Sequence, residues 1–371
     1  MIVKNGQVFQ EDGSFIRKDV HIDGEFFVDK SGGEVLDAEE AYVIPGLVDI
    51  HFHGCMGADL CNGSHQSIDT IAKYQLEHGI MAICPASMTL SEEMLSDIFA
   101  CCASYQNGAG ADFVGINMEG PFIAAEKKGA QNARYIVKAD AAMFRRLQEK
   151  AKGLIKLCDI APEDDEACQA IREIKDEVVV SICHTTANYD MAQKAFASGA
   201  KQLTHMYNAM NGLTHRDAGP IGAAFDTDYA RVELITDGVH ISPTMVRVAF
   251  RLFGDDRVML ISDSMEATGM PDGEYTLGGQ TVIKKGRKAT LADGVLAGSV
   301  SNLFDCMVNA VQNMDIPLGS AVKCASVNPA KQIGIYDCYG NIASGKYANA
   351  ILLDKDSLQI KSLIFKGRLI K

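Results

Sequence analysis

No apolar run in this chain reaches the roughly 18 residues that a membrane-crossing helix requires, so no span is expected. The first residues, "MIVKNGQVFQEDG", lack the apolar core of a secretory signal and read as a strand, a turn and a second strand. Basic residues are outnumbered, 35 against 48 acidic ones, for a formal charge of −13. That balance argues against a general nucleic-acid role, because phosphate backbones need a basic stripe. It still allows one small anionic substrate, which needs only a local positive pocket. The eleven cysteines contain no CxxC, and the closest pairs are Cys55/Cys61 and Cys101/Cys102. Reduced thiols and a cytoplasmic location are therefore expected, with Cys55 or Cys61 as the alternative of a thiol near a metal. Low-complexity segments and charged tails are absent too.

Of the 371 residues, 47% are hydrophobic, enough for one large domain and a small one. After residue 45, eight short apolar or β-branched runs alternate with amphipathic stretches: "GLVDIHFH", "GIMAICPAS", "DFVGINMEG", "LIKLCDIAPE", "VVVSICHTT", "KQLTHMYNAM", "RVELITDGVH" and "RVMLISDSM". Near-continuous apolar strands between helices indicate a parallel sheet covered by helices. Eight such units point to an α/β fold of the (β/α)8 TIM-barrel type over residues 46–334. A doubly wound open sheet fits less well, because no GxGxxG follows the first strand.

Residues 1–45 and 335–371 carry short strands separated by Gly and Asp turns, and neither segment holds enough core to fold alone. They are expected to pair into a small β-sandwich beside the barrel. A Gly-rich alternating stretch near 272–295 predicts a β-hairpin insert over the barrel mouth.

The first run ends on "HFH". Strand side chains have a period of two, so His51 and His53 share a face. Two imidazoles there suit a metal; a hydrogen-bonded structural pair is the alternative. In such barrels the active site is built at the C-terminal ends of the strands. Other runs end on Glu119, His184, His205 and Asp263, five ligand-type positions in all with the histidine pair counted as one. Five convergent positions favour a metal centre.

HxH after the first strand, His after the fifth and sixth and Asp after the eighth resemble the amidohydrolase superfamily. "MEGPFIAAEKKGAQN", "HMYNAMNGLTHRDAG", "DGVH", "SDSMEATG" and "LAGS" narrow this resemblance to the N-acetylglucosamine-6-phosphate deacetylase family, along nearly the whole chain. The resemblance implies a barrel with a small β-sandwich made from both termini. It implies a divalent metal (zinc, or iron, manganese or cobalt) at one tight site of Glu119, His184 and His205. Some family members hold a second metal at HxH, and His51 and His53 leave that open here. Asp263 is implied as general base and acid. Gln131, Asn208, Ala209, Arg216, His240 and Ala297 are implied as substrate contacts, with Arg216 offered to the phosphate across a homodimer.

The implied reaction removes acetyl from N-acetyl-D-glucosamine 6-phosphate, in amino-sugar catabolism. N-acetylgalactosamine 6-phosphate and another N-acyl substrate are the alternatives; Lys156 on the fourth run is the position to check for a carboxylated-lysine amidohydrolase. No nucleic-acid or membrane partner is expected.

Overall fold

A computed structural model describes residues 1–371. The eight runs form parallel strands: Leu47–Asp49, Ile80–Ile83, Asp112–Phe113 continued by Ile116–Met118, Ile155–Ile160, Val179–Ile182, Gln202–Leu203, Arg231–Ile235 and Val258–Ile261. The first, second and start of the third pair in sequence order. A six-stranded sheet then runs from Ile116–Met118 to Val258–Ile261, every neighbour parallel. The third strand passes from one sheet to the other at Val114 and Gly115. Backbone bonds also join the ends of the first and eighth runs: Asp263 N–H donates to His51 O at 2.9 Å and His53 N–H donates to Ser264 O at 2.7 Å.

The helices between the strands begin where short polar side chains accept the free N–H groups of the first turn. Ser64, Ser91, Asp164, Asn188 and Asn302 each accept from the backbone three residues on. The helix Asp165–Ile174 buries Ala167, Cys168, Ala170, Ile171 and Ile174, the stripe that a 3.6-residue period places on one face.

The two ends of the chain share a six-stranded sheet. Ala350–Asp354 lies antiparallel to Ala41–Pro45, with Ile351 opposite Ile44. Gln7–Phe9 and Phe15–Arg17 continue one edge, and Ile360–Phe365 and Arg368–Leu369 the other. Val20–Asp23, Phe26–Val28, Ile2–Lys4 and Val35–Asp37 form a second, four-stranded sheet. Alternation along Ala350–Asp354 decides which core each residue joins. Ala350 and Leu352 enter a 13-residue core among the terminal strands. Ile351 and Leu353 enter the 82-residue core of the main body. Residues 335–349 are largely turns, with one isolated antiparallel bridge from Tyr347 to Phe26; Gly340 and Gly345 there have φ of 82° and 89°.

The stretch after the eighth strand has three strands, not the two of a hairpin: Gly273–Leu277, Gln280–Lys285 and Lys288–Thr290, all antiparallel. Gly278 and Gly279, at φ of 55° and 76°, make the first turn.

Ile351 is fully buried where the two halves of the molecule meet. Ile351→Ala is expected to cost about 2–5 kcal/mol, read as a lower midpoint in urea unfolding.

Candidate active site

Glu119 closes the third strand, and four imidazoles face its carboxylate. Its Oε1 lies 3.2 Å from His184 Nε2, 3.1 Å from His205 Nε2 and 3.5 Å from His51 Nε2. Its Oε2 lies 3.3 Å from His53 Nε2. Asp263 Oδ1 stands 3.3 Å from His53 Nε2 and 3.8 Å from His51 Nε2. All six residues are buried, the most open being Asp263 at 8% exposure.

Local backbone geometry explains how residues at strand ends turn inward together. His184, His205 and Asp263 have φ of 42°, 28° and 48°. That left-handed region is unfavourable for residues with a Cβ and gathers at functional sites. Each is the point at which its chain leaves the strand.

The outer ring nitrogens are also committed. His184 Nδ1 is 2.6 Å from Lys127 O, and His53 Nδ1 is 3.3 Å from Ala86 O. A carbonyl only accepts, so Nδ1 carries the proton in each ring. His51 Nδ1 is 3.0 Å from Glu233 Oε2 in the same sense. In neutral rings the three Nε2 atoms are then bare lone pairs aimed at carboxylate oxygens. His184 Nε2 and His205 Nε2 are only 3.2 Å apart, and His51 Nε2 is buried with no hydrogen-bond partner. Acceptors facing acceptors call for a cation at their centre.

The electrostatics agree. Burial opposes the imidazolium of His51, but Glu233 and Glu119 outweigh it and hold its pKa well above the ordinary value. Burial would raise Glu119, but His51, His184 and His205 outweigh it and hold its pKa well below the usual carboxylate range. His53 and His51 likewise keep Asp263 low against burial. The site demands positive charge, which protons or a metal ion supply. Two donor groups satisfy the fit for a metal: Glu119, Cys183, His184 and His205; and His51, His53 and Glu119, with ligand atoms within 4.8 Å of one another in each. The tautomers fixed through Nδ1 are the usual outer partners of metal-bound histidine.

The cluster forms the floor of a cavity of about 410 Å³. Residues 42–370 match the model of the Amidohydrolase family. The chain belongs to the amidohydrolase family. It is 34% identical over 361 residues to an N-acetylglucosamine-6-phosphate deacetylase of Bacillus subtilis, covering 96% of this chain and 90% of the relative. An N-acetylgalactosamine-6-phosphate deacetylase of Escherichia coli is 31% identical over 341 residues, 90% of this chain and 89% of the relative. The solved structure of N-acetyl-D-glucosamine-6-phosphate deacetylase from Mycobacterium smegmatis superposes with a TM-score of 0.93 at 29% identity, covering 100% of both chains.

In this amidohydrolase Gln131, Asn208, Ala209 and His240 line the cavity, as substrate contacts would. Gln131 is already engaged: its Nε2 donates to Glu119 Oε2 at 2.7 Å and its Oε1 accepts from Thr89 N–H at 2.7 Å. One N–H of its amide remains for a ligand. Nδ1 of His240 is 2.8 Å from Asp237 Oδ2; burial lowers its pKa, but Asp237 outweighs this and raises it.

Ala297 and Arg216 do not line the cavity of this chain. Ala297 is fully buried, its N–H bonded to Ala289 O, and its neighbours Leu296 and Gly298 line the cavity instead. Arg216 is exposed on the loop before the helix Gly219–Phe225 and does not line the cavity of its own chain. The only Lys or Arg that does is Lys127.

Sequence reasoning also passed over Cys183, Glu233 and Asp237. Cys183, not Cys55 or Cys61, is the thiol in a donor group. Burial pushes its pKa well up. Glu233 had a legible signal, a lone carboxylate inside the apolar run "RVELI".

Proposed function

We propose that this amidohydrolase removes the acetyl group of N-acetyl-D-glucosamine 6-phosphate, giving D-glucosamine 6-phosphate and acetate in amino-sugar breakdown. The observation that carries the reading is a buried His and carboxylate cluster, with Asp263 beside it, on the floor of an open cavity. The named relatives support the substrate class. The Escherichia coli relative supports a second reading, the galactosamine epimer. The fold is taken as a closed (β/α)8 barrel, with the terminal strands as a separate small β-sandwich. A cytoplasmic homodimer is the proposed form.

Glu119, His184 and His205 would hold a divalent ion tightly, and His51 and His53, sharing Glu119, a second. The nitrogen-rich donor set suits zinc, iron, manganese or cobalt. The chemistry such an ion supplies is polarisation of the amide carbonyl and acidification of water to a pKa of about 7. Asp263, kept ionised by His53 and His51, takes the proton of the attacking water. The water oxygen joins the acetyl carbon, the C–N bond breaks, and Asp263 passes the proton to the leaving amine. Asp237 accepts from Nδ1 of His240, so in its cationic form His240 donates through Nε2 to the carbonyl oxygen or a sugar hydroxyl. Leu277, Val295 and Leu296 wall the cavity with apolar surface near the reacting groups.

Acetate release from 6-phosphorylated and unphosphorylated N-acetyl hexosamines, with metal content measured on the same sample, tests the reading. Phosphorylated glucosamine should be the best substrate; a preference for the galactosamine epimer would install the second reading, and no acetate from either would refute both. Asp263→Asn preserves shape and removes the base. Its kcat should fall by about 10²- to 10⁴-fold with metal content unchanged.

Arg216, exposed outside its own cavity, is proposed to meet the phosphate of the partner protomer's substrate. Arg216→Ala should raise KM for the phosphorylated sugar and leave the unphosphorylated one unchanged. Chains carrying Arg216→Ala mixed with chains carrying Asp263→Asn should regain activity, because one site in each mixed dimer has neither defect. Verified mixed dimers without recovery would assign Arg216 to its own chain.

A further inference from the structure

Cys183 closes the fifth strand immediately before His184 and is fully buried. Its Sγ is 3.9 Å from Glu119 Oε1 and 3.8 Å from His205 Nε2. The other three donors are spaced more closely: His184 Nε2 to Glu119 Oε1 3.2 Å, His205 Nε2 to Glu119 Oε1 3.1 Å and His184 Nε2 to His205 Nε2 3.2 Å. A tetrahedral zinc ion with nitrogen and oxygen at ~2.0–2.1 Å and sulfur at ~2.3 Å has N···N and N···O edges of about 3.3 Å and S···N edges of about 3.6 Å. The short and long edges seen here follow that pattern. The fully buried His51 Nε2, without a hydrogen-bond partner, points into the same group and independently marks it as a place for a ligand.

We propose that Cys183 is a fourth protein ligand of the metal, a thiolate beside Glu119, His184 and His205. The inference rests on the metal reading of this site and deepens it. A hydrogen-bonded thiol donating to Glu119 is the competing account of the same contacts. On coordination the thiol proton passes to solvent and no redox change occurs. A sulfur donor shifts preference toward zinc, cobalt and iron and away from magnesium and manganese. Four protein donors would complete a tetrahedral set, so a water or carbonyl oxygen would have to join as a fifth ligand, from the side that His51, His53 and Asp263 share.

Cobalt(II) tests this in the intact full-length protein, loaded without oxygen. A thiolate ligand gives an intense near-ultraviolet sulfur-to-cobalt charge-transfer band, while histidine and carboxylate ligands give only weak visible bands. The near-ultraviolet band is expected in the native protein and should vanish in Cys183→Ser and Cys183→Ala, with the visible bands retained. Zinc loss to a chelator should quicken by about tenfold or more in both variants, on the scale of weakened metal sites. Visible bands without the charge-transfer band in the native protein would overturn the role of Cys183 and leave the metal centre standing. A charge-transfer band that persists in the variants would assign the sulfur elsewhere and overturn it as well. No cobalt uptake by the metal-stripped native protein, or uptake left unchanged by Glu119→Ala, would sink the metal reading and this inference together. The native spectrum decides the question even where a variant fails to fold.

Discussion

A buried carboxylate that is shared by four imidazoles organises this protein. Glu119 has only 2% of its surface exposed, so its charge is costly unless it is compensated at close range. His51, His53, His184 and His205, carried on three other strands, surround it, and compensation comes from a proton or a cation held among them. The strands must therefore hold their order and stagger closely, because each Nε2 has to reach one of two oxygens. The same demand makes the site receptive to a cation, since His184, His205 and His51 crowd one carboxylate oxygen and His53 faces the other.

What stands behind the ligands holds them to that geometry. Glu233, fully buried, accepts from His51 and, through Oε1, from Gln202 Nε2 at 2.8 Å. Gln332 Nε2 donates to Gln202 Oε1 at 2.7 Å, and Arg231 donates to Gln332 Oε1 at 2.6 Å. A continuous chain of hydrogen bonds thus connects the site to the helix Val327–Gln332. Such networks in a low-dielectric interior orient their members and are costly to leave half satisfied. Beside it, burial raises the pKa of Asp49 to about 7, with Ser262 Oγ donating to it at 2.5 Å. Burial also lifts Asp159 well above the carboxylate range. The interior beneath the site thus holds buried polar groups that are only partly hydrogen-bonded, since neither carboxylate oxygen of Asp159 has a partner.

The cavity above is built from different material. Its walls come partly from the three-stranded excursion after the eighth strand, through Leu277, and from the segment that follows it, through Val295 and Leu296. Its only lysine or arginine is Lys127, half-buried next to Glu126, in a chain whose net charge is −13. An anionic group entering this cavity finds little positive charge from its own chain beyond Lys127 and the site itself. That asymmetry is the physical reason an arginine from elsewhere is of interest.

Sequence alone determined the order of eight apolar runs and the residues that end them. Strand and helix periods are local properties, and so is the common face of His51 and His53. It also supplied the two outer β segments, although it extended the second across turns at 335–349. The tertiary structure decided which of these residues meet. Gln131 turned its amide onto Glu119, Ala297 went into the core, Arg216 stayed outside, and Lys127 lined the cavity. It also selected Cys183 over Cys55 and Cys61, whose side chains pack elsewhere. The reason is geometric. Distances across a sheet depend on stagger between strands and on left-handed turns at His184, His205 and Asp263, and neither leaves a trace in the periodicity of a single run.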